Sequence, residues 1–268
     1  MLEHWLHSPL QLVIAQALVA AAAATVVVVL AHRRGIRLEG DAAIAMIRGL
    51  VQIVAVGSIL VLLLRGPRWT SVFLLVAMIL AAGATSARRA KKLPGAFAVS
   101  AWAIAGGAGS IIAVMTALGV IDTAITSLVP VGSMLIANAM NTNSLAMNRF
   151  RSEVLAHVGE VETALALGAE SRTSVSPYVQ NAFESSLIPA IDSLRSLGIV
   201  WIPGLMTGML LSGANPIHAA IYQFVVIAMV LASSGLTSLI STLLIRPRIF
   251  SAADQLVLRE GMAGNPRG

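Results

Sequence analysis

The sequence predicts an all-α polytopic membrane protein with about seven transmembrane helices. Hydrophobic residues make up 57% of the 268 residues, charged residues only 11%, and the mean hydropathy is +0.86. A soluble domain carries about 25% charged residues, so this chain has too few charges to cover a water-facing surface. Its apolar residues fall into seven runs, each near the ~20 residues that cross ~30 Å of hydrocarbon. We therefore expect a single transmembrane domain over residues 1–268 with the lipid bilayer as its main solvent.

The seven predicted spans differ in their polarity and regularity. They cover residues 9–31, 44–64, 69–87, 97–119, 123–146, 185–211 and 216–245. The fifth is the most polar, because it contains Asn138, Asn141 and Asn143. The sixth contains Pro189 and Pro203-Gly204, and proline removes a helical hydrogen bond, so we expect a break or kink in that span.

Basic residues are distributed asymmetrically between the two sides of the predicted membrane domain. Arginine or lysine follows the first, third, fifth and seventh spans, whereas the opposite side carries only Arg65 and Arg68. The positive-inside rule then places the N-terminus outside and the C-terminus in the cytoplasm, across the inner (plasma) membrane. This placement also explains the net charge of +6 without nucleic acid, since no basic stripe is interleaved with aromatic residues.

The polar segment at about 147–184 falls on the predicted cytoplasmic side. Val154, Val158, Val161 and Leu165 recur at the spacing of one helix face, which predicts a helix over 153–168 that ends at Gly168. Its polar side is acidic, with Glu153, Glu160, Glu162 and Glu170. Helices that lie on anionic lipid usually carry Lys and Arg there, so a protein partner is favoured, and we expect the apolar face to fill a groove on that partner.

The motifs that carry enzyme chemistry are missing from this sequence. It contains no Walker A pattern, no His-Glu-x-x-His and no Gly-x-Ser-x-Gly elbow. It also has no cysteine, which excludes disulfides and thiolate metal sites. The run Gly106-Gly107-Ala108-Gly109-Ser110 lacks a lysine and predicts close helix packing instead of phosphate binding. The chain is therefore expected to be no enzyme and to bind no cofactor.

Two patterns in the second half of the chain resemble known permeases. Glu162, Ala164 and Gly168 have the spacing of the cytoplasmic EAA loop of ABC importer permeases. The longer pattern over residues 137–149, 162–169, 202–208 and 222–223 is similar to the small FetB-type permeases, as are Arg48 and Gln52. Members of that family are implicated in iron export, and their plant relatives in aluminium tolerance.

This resemblance implies the permease subunit of an ABC transporter that exports a metal ion, most directly iron. Two permease copies would pair with two ABC ATPase subunits, and those partners would bind ATP-Mg. The cytoplasmic helix would be the coupling helix that contacts the ATPase. The coupling residues would then be Glu160, Glu162, Ala164 and Gly168.

Polar residues inside apolar spans are candidates for a substrate pathway, because a charge in hydrocarbon costs at least ~2.5 kcal/mol unless it is paired or wetted. The alternatives are an Asp192–Arg195 ion pair and interhelical hydrogen bonds from the asparagines. Arg48 is also expected to pair with Glu184 or Asp192. The candidate pathway residues are Arg48, Gln52, Asn138, Asn141, Glu184, Asp192, Met206 and Thr207.

The sequence does not identify metal ligands. Methionines such as Met134, Met140 and Met209 are soft ligands, but methionine in a helix is more often packing. His4 and His7 near the N-terminus have a spacing that allows a shared ion, and His218 near the outer end of the last span stands alone in the sequence.

Two other functions also fit these residues. One is an ABC permease for an organic or lipid-like substrate. The other is a secondary transporter without an ATPase, in which Arg48, Glu184 and Asp192 bind ions or protons.

The predicted topology can be tested directly, because the chain has no native cysteine. We expect Ser8→Cys and Ser251→Cys to react with a membrane-impermeant maleimide from opposite sides of the membrane. Labelling of both positions from the same side would contradict the seven-span topology.

Overall fold

A computed structural model describes residues 9–34, 39–63, 66–67, 69–90, 93–251 and 253–258. Within these ranges the regular structure is helical, and the only β pairing consists of the isolated bridges Leu197–Trp201 and Phe250–Leu256. This confirms the predicted all-α class. The chain divides into two compact units, residues 1–66 and 67–268, which are described separately.

The first unit contains two long apolar helices, α1 (Pro9–Arg33) and α2 (Glu39–Leu63). Each has 25 residues, which at 1.5 Å per residue gives a length of about 37 Å, enough to cross the hydrocarbon. Large apolar side chains such as Leu18 and Ile47 are exposed, as expected for contact with lipid. Arg48 and Gln52 lie one turn apart on α2, and both are exposed.

The second unit contains the remaining helices. In chain order they are α3 (Thr70–Arg89), α4 (Ala96–Ile104), a π-helical turn (Ala105–Gly109), α5 (Ser110–Ala117), α6 (Ile125–Ala156), α7 (Val158–Ala166), α8 (Ser171–Ser174), α9 (Ser176–Ser196), α10 (Gly204–Leu211) and α11 (Pro216–Ile245). The π-helical turn joins α4 and α5 into one rod, Ala96–Ala117. A 3-10 turn over Arg246–Ile249 follows α11.

Several of these helices can cross a membrane. Thr70–Arg89, Ala96–Ala117 and Pro216–Ile249 are long and apolar enough, and the described part of the first unit adds the shorter apolar stretches Ile14–Leu30 and Ala43–Ile59. The structure therefore fits a polytopic membrane protein. Crossings by α6 and by α9 with α10 stay predictions, because α6 carries asparagine and arginine side chains and α9 is separated from α10.

The predicted break in the sixth span is confirmed. Helix α9 ends at Ser196, the chain turns between Leu197 and Trp201, and α10 begins at Gly204 after an extended Pro203. Pro189 lies inside α9 without ending it. The interruption is therefore at the Pro-Gly pair, because the extended backbone of Pro203 cannot belong to a helix.

The predicted helix over 153–168 is divided into two. Helix α6 continues to Ala156, ten residues past the predicted end of the span at 146, and the backbone leaves helical geometry at His157 (φ −121°, ψ 29°). Helix α7 then begins at Val158. The apolar residues keep a regular spacing across this bend. The bend turns the apolar sides of both helices toward the same core.

That core belongs to the chain itself, so the expectation that the apolar face fills a partner's groove is wrong. Val154 and Val161 are both fully buried. They lie in a cluster, here called the Val161 cluster, that joins α6, α7, α9 and the end of α11. Its main members are Met147, Phe150, Val154, Val161, Val175, Tyr178, Ala182, Ile245, Ile249 and Leu256.

The glycine-rich run in the fourth span packs directly against α11, as the sequence predicts. A Cβ built on Gly107 would overlap the Thr237 hydroxyl and lie 2.6 Å from the Thr237 backbone nitrogen. Thr237 belongs to a series of buried small hydroxyl residues on α11, and small side chains let helix backbones approach each other. The members of this series are Ser233, Ser234, Thr237, Ser238, Ser241 and Thr242.

We predict that Gly107→Ala destabilises the protein by about 1–3 kcal/mol, because the new methyl group forces α11 to move. Gly235→Ala is the matched control, since a Cβ on Gly235 meets no atom within 4 Å and alanine favours a helix. Thermal unfolding of the detergent-purified variants measures the difference. Equal unfolding temperatures for Gly107→Ala and the parent would contradict the close packing.

Candidate functional site

The bend between α6 and α7 is held in place by α9. The Tyr178 hydroxyl on α9 donates a hydrogen bond to Glu160 Oε2 at 2.9 Å. The Tyr178 ring also stacks on His157, with ring centroids 5.0 Å apart and an interplanar angle of 19°. Nδ1 of His157 lies 2.9 Å from the Glu153 carbonyl oxygen. Glu160, predicted to couple to an ATPase, therefore fixes the position of α7 within this chain.

Tyr178 is suited to act as a permanent hydrogen-bond donor. Burial raises the pKa of its hydroxyl above the ordinary 10.0, and the hydrogen bond to Glu160 and the negative charges of Glu160 and Glu153 raise it further. The hydroxyl therefore keeps its proton at physiological pH.

Helix α7 ends in a turn that needs a glycine. Gly168 has φ +87°, its N–H donates to the Leu165 carbonyl at 3.0 Å, and the Ala169 N–H donates to the Ala164 carbonyl at 3.0 Å. These two bonds form a Schellman motif, which satisfies the last carbonyl groups of the helix. The predicted helix end at Gly168 is confirmed, and Ala164 contributes its carbonyl group to it.

The outer surface of α7 borders a groove of about 560 Å³. One wall is the end of α7 with Glu162 and Gly168, and the other is the C-terminal segment around Asp254. That segment is fixed by a hydrogen bond from Ser171 Oγ to Asp254 Oδ1 at 2.6 Å and by buried Leu256. The sequence did not indicate this second wall, whose only signal was apolar residues beyond the last span.

Two predicted pathway asparagines on α6 form separate hydrogen bonds. Asn138 Nδ2 donates to the Met134 carbonyl of its own helix at 2.9 Å. Asn141 Oδ1 accepts from Arg89 Nη1 at 3.0 Å, which ties α6 to the end of α3. The Asn141 bond is thus an interhelical contact of the kind that the sequence left open as the alternative to a pathway role.

Asn143, which the sequence marked only as a polar residue in the fifth span, is the centre of a buried network. Its Nδ2 lies 2.6 Å from Ser86 Oγ and 2.8 Å from Ser100 Oγ, and the Ser100 hydroxyl reaches Met147 Sδ at 3.4 Å. Asn143 is fully buried, and its Oδ1 has no partner among the described atoms. The network joins α3, α4 and α6.

Met206 and Thr207 lie in the first turn of α10. The Met206 N–H donates to Gln223 Oε1 at 3.2 Å, and Thr207 Oγ1 donates to the Pro203 carbonyl at 3.2 Å. Gln223 is buried on α11 and thereby caps the start of the short helix. Glutamine acts here as an N-terminal cap supplied by another helix.

The acidic residues predicted on α9 are exposed and have partners on their own helix. Asp192 forms the expected ion pair with Arg195 at 3.6 Å, with side chains 60% and 77% exposed respectively. Glu184 Oε1 accepts from Gln180 Nε2 at 2.8 Å. Arg48 and Gln52 belong to the first unit, so the pairing of Arg48 with Glu184 or Asp192 stays a prediction.

A second cavity, here called the Asp122 cavity, has a volume of about 390 Å³. It lies between the start of α6, the short helix α10, the start of α11 and the turn that contains Asp122. Helices α6 and α10 carry four of the predicted pathway residues, but the residues that line this cavity differ from the predicted ones. They are Gly119, Val120, Asp122, Thr126, Ser127, Pro130, Val131, Leu205, Met209, His218 and Tyr222.

The methionines and histidines considered as metal ligands are dispersed. Met134 and Met140 pack against the core formed by α3, α6 and α11, whereas Met209 and His218 line the Asp122 cavity. His4 and His7 lie outside the described residues. Within the described ranges, no three His, Cys, Asp or Glu side chains form a group that could hold a metal ion.

Comparisons with known proteins identify relatives over most of the chain. The sequence profile of the family described as "Uncharacterised protein family (UPF0014)" matches residues 10–250. The rice (Oryza sativa subsp. japonica) UPF0014 membrane protein STAR2 is 33% identical, over 91% of this chain and 84% of its own length. Protein ALUMINUM SENSITIVE 3 of Arabidopsis thaliana is 32% identical, over 85% of this chain and 84% of its own.

A bacterial relative carries a more specific name. The probable iron export permease protein FetB of Escherichia coli (strain K12) is 28% identical, over 87% of this chain and 90% of its own. No solved structure matches the chain.

We predict that Tyr178→Phe destabilises the protein by about 1 kcal/mol through loss of the hydrogen bond to Glu160. Since the pKa of Tyr178 is raised in the fold, its contribution to stability is complete below pH 10.0 and is lost as the pH rises through the raised pKa. The variant should therefore show a smaller loss of stability at alkaline pH.

Thermal unfolding between pH 8 and pH 11 measures both effects. Glu160→Gln is the comparison variant, because it keeps an acceptor oxygen and removes only the charge. The role of this hydrogen bond would be contradicted if Tyr178→Phe unfolds at the temperature of the parent and loses as much stability at alkaline pH as the parent does.

Proposed function

This chain belongs to the UPF0014 family, and we propose that it is the permease subunit of an ABC transporter that exports a metal ion, most directly iron. The FetB-type resemblance predicted from sequence is confirmed by the family match and by the E. coli relative. ATP hydrolysis is assigned to a separate cytoplasmic ATPase, which binds ATP-Mg. The permease forms a homodimer in the plasma membrane, with its C-terminus and α7 in the cytoplasm.

The observation that carries this proposal is the combination of an exposed surface and a rigid base in α7. Glu162 is exposed on α7, and Leu167, the first residue after α7, is 84% exposed. Val161, on the other side of the helix, is fully buried. Because the core contacts of α7 are made within the chain, a partner can push on its exposed side while the helix stays folded.

The exposed acidic groups indicate the chemistry of the docking surface. Glu162 and Asp254 both line the groove beside α7. A partner with a basic residue and a small apolar side chain complements that groove and the exposed Leu167. The coupling surface thus combines α7 with the C-terminal segment, in place of the apolar helix face predicted from sequence.

Coupling to the membrane domain follows from the packing of α6. Its last turns and α7 share the Val161 cluster, so movement of α7 displaces α6 with it. The first turns of α6 line the Asp122 cavity. ATP-driven closure of the ATPase dimer then favours one of two arrangements of the helices around the cavity. Such a shift requires that the ATPase contacts the permease differently in the two arrangements.

The identity of the cargo is supported by the relatives and by the cavity. The E. coli relative is named for probable iron export. The Asp122 cavity offers a carboxylate, an imidazole and a phenol. Such oxygen and nitrogen groups suit first-row transition metals better than they suit an anionic or lipid-like substrate.

We predict that Gly168→Val uncouples the permease from its ATPase, because a β-branched residue at φ +87° is strained by about 1–2 kcal/mol and the end of α7 must rearrange. Glu162→Lys should have the same effect, because it places a base beside Asp254 and cancels the negative charge of the groove. Co-purification with the ATPase and transport-linked ATP hydrolysis measure the loss.

Gly213→Val is the matched control for Gly168→Val. Gly213 has φ +83°, ends α10 in the same two-bond Schellman motif, and has open space around its Cβ position, as Gly168 has. Similar thermal destabilisation is expected in both variants, with ATPase binding lost only in Gly168→Val. Intact co-purification and ATP hydrolysis in both Gly168→Val and Glu162→Lys would contradict the coupling role of α7.

A further inference from the structure

The Asp122 cavity brings together reactive side chains that the sequence keeps far apart. Asp122 is the only acidic residue between positions 42 and 152. His218 is one of 5 histidines, and Tyr222 is one of 2 tyrosines. All three line this one cavity of about 390 Å³.

The local structure fixes the backbone position of each of the three residues. Asp122 lies in the turn before α6, where its Oδ1 accepts a hydrogen bond from the Ala124 N–H at 3.1 Å. Asn215 caps α11 by accepting from the Ile217 N–H at 2.9 Å, and His218 follows in the first turn. Tyr222 lies four residues further along α11, so it shares a helix face with His218 one turn deeper.

Asp122 holds the turn before α6 and the Tyr222 ring packs against the core, but these contacts leave polar atoms of all three groups open to the cavity. Asp122 and His218 are exposed, and Tyr222 is only half-buried. Within the described residues, the structure gives Asp122 no ion-pair partner and the His218 ring no hydrogen-bond partner. A packing role accounts for Leu205 and Val131 in the same cavity, but not for a carboxylate, an imidazole and a phenol together.

We propose that the Asp122 cavity is a binding site for a transition-metal cation, with Asp122, His218 and Tyr222 as its ligands. Carboxylate and imidazole are the side chains that divalent iron, zinc and cobalt accept, and a phenol oxygen adds a hard donor. Met209 adds a thioether to the wall of the cavity, and Thr126 and Ser127 add hydroxyl groups. The site rests on the proposed function, since the ion is the transported cargo.

The composition of the site suits a cargo more than a resident ion. It offers fewer strong ligands than the four that close a structural zinc site. A transport site must bind its ion well enough to select it and weakly enough to release it. The Asp122 carboxylate also disfavours an anionic ligand, so the cavity selects for positive charge.

The test is Co²⁺ binding to the untagged protein in lipid nanodiscs, measured by titration calorimetry. His4 and His7 are both replaced by Gln in the parent, so that the N-terminal histidines do not contribute. Asp122→Asn, His218→Gln and Tyr222→Phe should each weaken Co²⁺ binding about tenfold or more. The Asp122→Asn change is expected to preserve the turn before α6, because an amide oxygen also accepts the Ala124 N–H.

His157→Gln and Tyr178→Phe are the controls, because they change the same residue types far along the chain at the bend between α6 and α7. Both should bind Co²⁺ like the parent. Size-exclusion profiles of all variants verify that they are folded. Parent-like Co²⁺ binding in the three cavity variants, or no Co²⁺ binding by the parent, would overturn the proposed site.

ATP-driven iron transport by the parent, measured separately with its ATPase, distinguishes failure of the site from failure of the function. Transport by the parent with unchanged Co²⁺ binding in the cavity variants refutes the site alone. Loss of Co²⁺ binding in the cavity variants supports the site, whether or not the parent transports iron. Absence of iron transport by the parent refutes the proposed function.

Discussion

The uninterrupted helix α6 connects the two candidate sites of the second unit. Its 32 residues form one helix of about 48 Å that runs from the Asp122 cavity to the bend before α7. Phe150 and Val154 at one end are fully buried, so this end cannot slide against its neighbours without repacking the Val161 cluster. At the other end, Pro130 removes one helical hydrogen bond beside the cavity, which is where a helix bends most readily. A displacement of α7 is therefore expected to appear as a change of the cavity.

Polar residues in the apolar helices divide into those that hold the fold and those that face open space. Buried Asn143 binds the hydroxyls of Ser86 and Ser100, and Gln223 caps the backbone of α10. No water is present in hydrocarbon to satisfy the first N–H groups of a helix, so the predicted sixth span needs a cap from another helix. Tyr222 is the sequence neighbour of Gln223 but lines the cavity. Adjacent residues on one helix thus hold the fold and line the cavity respectively, because they point to different sides.

The sequence predicts those features that depend on local chemistry. Run length and charge predict the apolar helices, the positive φ of Gly168 follows from its place after an apolar period, and the Pro203-Gly204 pair predicts the break before α10. The sequence does not show what covers an apolar face. The apolar spacing therefore assigns Val161 to a partner, whereas Val161 packs within the chain. His218 stands alone in the sequence for a similar reason. It comes to line the same cavity as Asp122 only after α6 and α11 have packed together, and periodicity carries no information about such long-range packing.

We propose that ATP hydrolysis by a partner drives export of a metal ion through this permease. The most direct measurement is accumulation of iron in inside-out membrane vesicles that contain the permease and its ATPase, with and without ATP. We expect accumulation that requires ATP, the ATPase and the permease together. Iron accumulation that follows an ion gradient and proceeds without the ATPase would contradict it and would identify a secondary transporter instead.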